Sequence, residues 1–216
     1  MRRFLAITSG LCMMAVAAHA NSKPDQTHFT LTANPAFVAC LSADGSTPPH
    51  ALVFVKRGEL NDTALIFVSG LKPDLDFDLF TVQRSSLDAN GKPVPNFPGF
   101  GLAWYQTDLH ADSDGTAKVL IKTILLDQIF GFVSGPNNTT VLPPTNTFHV
   151  GFWFNNPEDA APCGFDVTKP TPFNGEHRAG PLAMISLPDP NTGLGPLCTS
   201  PTGAGPDAPS PEACNP

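Results

Sequence analysis

Four groups of residues in this chain have types and spacing that could do chemistry. The first spans Asp108 to Gly115, where His110-Ala-Asp112-Ser-Asp114-Gly115 follows the opening of an EF-hand loop. In that loop oxygen ligands at alternate positions surround calcium, and Gly allows the sharp turn. Here His110 occupies the first ligand position and Ile121 stands where a bidentate Glu is needed, so the EF-hand reading fails. A looser calcium site from Asp108, Asp112 and Asp114 is the remaining metal candidate. Against it stands a surface turn that the same aspartates shape and solvate.

The second group is the histidines. His110, His149 and His177 could meet at a metal or a general base only if separate strands brought them together, because no spacing links them. Glu176 and His177 are adjacent, so in a strand they point to opposite faces and form no dyad. The third group is Trp104, Tyr105 and Trp153, which could form an exposed platform that stacks on sugar rings or a partner's apolar surface. The competing use of such rings is to fill a core.

The fourth group is the cysteines. Met1-Arg2-Arg3, the apolar run Phe4 to Ala18 and the small-x-small site Ala18-His-Ala20 read as a secretory signal peptide over residues 1–20. Cleavage removes Cys12 and leaves Cys40, Cys163, Cys198 and Cys214, an even set in an exported chain. Two disulfides can join in three ways, and the favoured pairing is Cys40 with Cys163 and Cys198 with Cys214. The close C-x₂₋₄-C pairs of structural zinc sites are missing.

Signatures of common enzymes are missing too. Gly131-Phe-Val-Ser-Gly135 has the wrong spacing for a nucleophile elbow, and there is no His-Glu-x-x-His or phosphate-cradling Gly-rich loop. A paired-carboxylate site would draw on few glutamates, with only Glu59, Glu158 and Glu176 before the tail. Taking Arg2 and Arg3 from the formal charge of −7 leaves −9 for the mature chain. That balance argues against nucleic acid and anionic membrane surfaces as partners. No mature segment is apolar over the ~18 residues of a membrane span.

The elements that must position these groups are strands. Gly99 to Leu125 reads as a β-hairpin turning at Asp112-Ser-Asp-Gly115. Phe29, Leu31 and Ala33 share one face of a first strand by period two. Ala51–Val55 and Thr63–Ser69 read as a second hairpin, dense enough in apolar residues to be buried on most of both faces. Thr147 to Phe154 places Phe148, Val150, Phe152 and Phe154 on one face and His149, Gly151 and Trp153 on the other. Leu182 to Leu187 is a last strand, and Leu125 to Phe130 is the one helical turn expected. Between them Ser85–Phe100 and Gly131–Asn146 are long loops, a feature often tied to function. Asn61, Asn137 and Asn138 sit in Asn-x-Thr sequons.

Leu71-Lys-Pro73-Asp-Leu75-Asp-Phe77, leading into Leu79-Phe-Thr-Val82, resembles the corner of fibronectin type III and related immunoglobulin-like sandwiches. The tyrosine that hydrogen-bonds back to the backbone in that corner is replaced by Phe77. The resemblance implies that Phe77 and Leu79 face inward and Asp76 and Asp78 outward, and it implies no activity.

These readings predict an all-β protein: an antiparallel two-layer β-sandwich, immunoglobulin-like or jelly-roll-like, of seven to nine strands with long loops. The domain would span residues 21–187, and 188–216 would be a flexible Pro/Gly-rich tail with a disulfide loop. The expected role is that of an exported, extracellular or periplasmic, non-enzymatic protein. It would bind a protein or carbohydrate through its long loops, or serve as an envelope or matrix module. The alternative is a small metal-dependent or hydrolytic secreted enzyme.

Overall fold

The computed structural model describes residues 26–126, 129, 131–168 and 179–197. The signal peptide, Cys198 and Cys214 with their expected bridge, and Glu176 with His177 lie outside the described residues, as do parts of the expected 125–130 turn.

Period-two burial marks the strands at residues 26–33, 50–56, 62–69 and 117–123, whereas those at 149–154 and 182–186 are buried throughout. The strands are β1 (Gln26–Ala33), β2 (His50–Lys56), β3 (Asp62–Ser69), β4 (Asp76–Val82), β5 (Ala103–His110), β6 (Ala117–Thr123), β7 (Gly131–Ser134), β8 (Thr140–Thr145), β9 (His149–Phe154) and β10 (Leu182–Ser186). Eight form one antiparallel sheet in the order β5-β4-β9-β10-β1-β2-β3-β6, and β7 pairs with β8 in a separate hairpin. The fold is therefore all-β, as the alternation predicts. In place of the expected two separate layers there is a single sheet, its halves joined where Leu31 of β1 lies opposite Ser186 of β10, and this sheet is nearly barrel-like. Phe77, Leu79 and Phe152 from one half meet Val53, Ile66 and Val68 from the other in one core.

The Asp112–Gly115 turn forms as expected. The Asp112 N–H donates to the Thr116 carbonyl (2.7 Å), and the Gly115 N–H donates to the Asp112 carbonyl (2.9 Å). Gly115 has φ +75°, and a Cβ there would run into the Leu71 carbonyl, so both torsion and space require glycine. The strands joined by this turn nonetheless pair outward instead of with each other. β6 runs beside β3 from Asp62 opposite Thr123 to Val68 opposite Ala117, and β5 runs beside β4. The turn thus sits where the two edges of the rolled sheet come together, and its arms belong to opposite edges.

Phe77 and Leu79 are fully buried and Asp76 is exposed, as the Leu71–Val82 corner implies. Asp78 faces outward yet is covered, accepting a hydrogen bond from Asn155 Nδ2 at 2.9 Å. The apolar part of the same face is covered by Ser85–Phe100. This segment lies across the outer face of β4, β9 and β10, with Leu87 packed against Val82, Trp153, Leu182 and Ile185 in a second small core. Asp88 pins its bend by accepting from the N–H groups of Asn90 (2.8 Å) and Lys92 (2.9 Å).

Within the expected 125–130 turn the Ile129 N–H donates to the Leu126 carbonyl at 3.1 Å, and helical pieces form elsewhere as well. A short helix α1 (Val38–Leu41) and a 3₁₀ segment, Pro157–Cys163, pack together and are bridged by the expected Cys40–Cys163 disulfide. The packed chain also continues beyond Leu187. The Leu197 N–H reaches the Phe148 carbonyl (3.2 Å), the Gly195 N–H reaches Thr147 Oγ1 (2.7 Å), and Leu197 is fully buried. Composition at 188–197 understated the order because backbone docking on Thr147 and Phe148, just before β9, does not need many large side chains.

Candidate functional site

Because β5 and β6 meet at the Asp112–Gly115 turn without forming a ladder, their far ends stand apart at the seam of the rolled sheet. The opening is a cleft of about 530 Å³. Leu102 and Trp104 wall it on the β5 side, and Lys122, Thr123 and Ile124 on the β6 side. Asn61 enters from the β2–β3 turn, and Ile129, Gly131 and Phe132 come from the chain leading into β7. That size falls in the ~300–1,000 Å³ range of small-molecule sites, and the mix of apolar walls with a few polar groups is typical of them.

Local chemistry holds each wall in place. Inward alternation along β5 turns Trp104 toward the core, where it meets Phe148 edge to face with centroids 4.9 Å apart. This contact fixes the indole while leaving it half-buried at the cleft. Gly131 lies so close to Leu102 that a Cβ there would come within 2.8 Å of Leu102 Cδ1. Ile124 is held by the buried Asp62. One carboxylate oxygen of Asp62 accepts from the N–H groups of Leu125 (2.9 Å) and Leu126 (2.7 Å), and the other accepts from the Gly58 N–H (3.2 Å). A single side chain therefore ties the β2–β3 turn to the chain leaving β6, and the cleft lies between them.

The aromatic trio predicted from the sequence is divided among three environments. Trp104 lines the cleft. Tyr105 points to the outer face, half exposed, with its hydroxyl donating to Asp108 Oδ1 at 2.8 Å. Trp153 is 1% exposed beneath the Ser85–Phe100 segment, with Phe80 and Phe100 edge-on at 5.4 and 5.0 Å. The three rings make no common platform, because successive strand residues alternate faces and the long loop covers the outer one. Of the two long loops, Ser85–Phe100 is spent on that cover. Gly131–Asn146 instead folds into the β7–β8 hairpin, and Phe132 from it lines the cleft.

The aspartates of the central turn also go separate ways. Asp108 takes the Tyr105 hydroxyl. Asp114 accepts from the Thr116 N–H (2.9 Å) and hydroxyl (2.7 Å), and these bonds hold its carboxyl below the usual carboxylate range. Among the described residues no three His, Cys, Asp or Glu side chains gather as a metal site. The calcium geometry proposed for Asp108, Asp112 and Asp114 is thus not assembled, since two of the three carboxylates are turned onto hydroxyls of their own strands and turn.

The described histidines are equally dispersed. His110 is exposed beside Asp76, Nδ1 to Oδ1 2.7 Å, and that hydrogen bond raises its pKa above the ordinary value. His149 is buried on β9. Its Nδ1–H donates to the Ser186 carbonyl at 3.0 Å, a pairing that requires the proton on Nδ1. Burial pushes the His149 pKa down to about 4. The unfolded chain, with a pKa near 6.5, then takes up a proton that the fold refuses. The stability from a neutral His149 is fully present above pH 6.5 and is lost as pH falls toward 4, about 3 kcal/mol in all. Urea melts between pH 7 and 4 should show this slope, and it should flatten in His149→Gln; an unchanged slope would refute the assignment.

Sequence reasoning found Trp104 but missed Leu102, Asn61, Asp62, Lys122 and Phe132 as neighbours. Only the Asn61-Asp62 turn chemistry hinted at any of them. Among the described residues lining the cleft, Lys122 is the one ionisable side chain, so no nucleophile–base or paired-carboxylate arrangement is built there. The fold and this cleft define the class: an all-β rolled-sheet protein with an apolar-walled site at its seam. No protein-family model, no curated protein and no solved structure matches the chain.

Proposed function

We propose that this is an exported, non-enzymatic binding protein that holds a carbohydrate in the seam cleft. The observation that carries the reading is Trp104, a fixed, half-buried indole on the cleft wall with Asn61, Thr123 and Lys122 nearby. A sugar ring offers an apolar face to an indole and hydroxyls to such polar groups, and a rigid aromatic loses little entropy in meeting it. The absence of an acid–base pair among the lining residues favours holding a ligand over converting it. Export is supported by the residue 1–20 pattern and by the Cys40–Cys163 bridge, which belongs to an oxidising compartment.

The test uses the mature, oxidised protein on an array of neutral and acidic oligosaccharides. Retention of at least one glycan is expected, with Trp104→Ala weakening it at least about tenfold, or 1.4 kcal/mol. The chain has two tryptophans and Trp153 is sealed, so ligand-induced changes in indole fluorescence should vanish in Trp104→Phe. Retention by no glycan, or equal retention by Trp104→Ala, would overturn the proposal.

A further inference from the structure

The strands β2 and β3 are apolar at outward as well as inward positions, which is why their sequence reads as buried on both faces. Among the described residues, only one face is covered. Cross-strand register aligns Phe54, Leu65 and Leu120 in one outer row and Leu52 and Phe67 in the next. Leu120 is 61% exposed, Phe54 46% and Phe67 40%. Lysines border this patch: Lys56 and Lys122 lie in the flanking row, and Lys118 lies opposite Phe67 on edge strand β6. None of the outward positions of β1, β2, β3 and β6 in these registers is Asp or Glu, although the chain holds nineteen acidic residues. The corresponding outer face of β4, β9 and β10 is covered by the chain's own Ser85–Phe100.

We infer that the outer face of β2, β3 and β6 docks on an anionic lipid surface. Charge complementarity selects that occupant. An apolar centre with a lysine border suits an interface of acyl chains beneath anionic headgroups, where lysine stems lie along apolar groups and their ammonium ends reach phosphate. The net charge of −9 argued against such a partner at the level of the whole chain. The outward positions of this face, however, carry no carboxylate, and carboxylates farther away than a Debye length of about 8–10 Å are screened. A second copy fits poorly: an antiparallel β6–β6 pairing centred on Leu120 would set Lys118 of each copy against Lys122 of the other, and like charges directly opposite are destabilising. Residues 21–25 and 198–216 contain no Val, Ile, Leu, Met or aromatic residue with which to cover the patch, and 169–178 contain only Phe173.

The test is co-sedimentation of the mature, oxidised protein with vesicles at about 0.1 M salt, where the Debye length is about 10 Å. One set is an equimolar mix of phosphatidylglycerol and phosphatidylcholine, the other phosphatidylcholine alone. Binding to the anionic vesicles only is expected. Lys118→Glu with Lys122→Glu should weaken it at least about tenfold, since each lysine near such a surface contributes a Boltzmann factor of roughly five. Phe54→Ser with Leu120→Ser, solvent-facing changes that spare the core, should also weaken it. Trp104→Ala should bind vesicles as wild type does, which separates this face from the cleft. No binding to anionic vesicles, or binding unaltered in both double variants, overturns the inference. So does a concentration-dependent dimer that Leu120→Ser dissolves, which would assign the face to a second copy.

Discussion

Replacing Cys40 and Cys163 together by Ala is expected to lower the stability of the oxidised protein by about 5 kcal/mol, a fall in Tm of roughly 10–20 °C. The size follows from the sequence separation of 123 between the two cysteines, since a crosslink restricts the unfolded chain more as the loop it closes grows longer. In the folded state the bridge costs little rearrangement, because its ends already pack together. Cys40 sits on α1 beside the fully buried Leu41, and Phe37 just before α1 meets Phe154 and Phe165 edge to face at 6.2 and 6.3 Å. The bridge therefore joins the chain between β1 and β2 to the chain after β9, one element from each half of the rolled sheet. Thermal melts of the wild type with and without reductant, beside the double variant, check this. A reduced protein melting within a few degrees of the oxidised one would show that packing alone holds this end of the fold.

Asp62→Ala should cost about 4 kcal/mol. Two buried N–H groups, Leu125 and Leu126, lose their acceptor, at roughly 1–3 kcal/mol each, and the Gly58 turn loses a third bond. Asp62→Asn is expected to be nearly as damaging. Both carboxylate oxygens accept from backbone donors, so an amide placed there must aim its own N–H₂ at an N–H group. Urea unfolding with an unchanged m-value measures the loss. The same substitutions should loosen the cleft, because Asp62 anchors the backbone that carries Ile124 to its wall. A loss below about 1 kcal/mol in Asp62→Ala would mean that water replaces the carboxylate at Leu125 and Leu126.

Much of the architecture was legible in local pattern. Alternation in Thr147–Phe154 placed Phe152 and Trp153 on opposite faces, and both ended buried, in different cores. The second hairpin formed with His50 opposite Ser69 and Lys56 opposite Thr63. Cys40 and Cys163 paired as expected. The site was much less legible. Trp104 stood out as a ring able to stack, but its partners come from three separate stretches of chain, and no spacing relates Asn61 to Lys122 or Phe132. The Ser85–Phe100 loop is rich in Pro, Gly and Asn, yet Leu87 and Phe100, two of its few apolar residues, were enough to seal it over Trp153.

By itself, the sequence determined what short-range chemistry can determine: strand positions from period-two alternation, and the Asp112–Gly115 turn from glycine's torsional freedom. Only the tertiary structure decided which edges pair, and so where the seam cleft opens and which apolar face stays bare. Hydrogen-bond ladders and burial between strands are long-range. The turn joining β5 to β6 carries no information about β5 finding β4 and β6 finding β3, and that choice creates both the cleft beside Trp104 and the lysine-bordered face around Leu120.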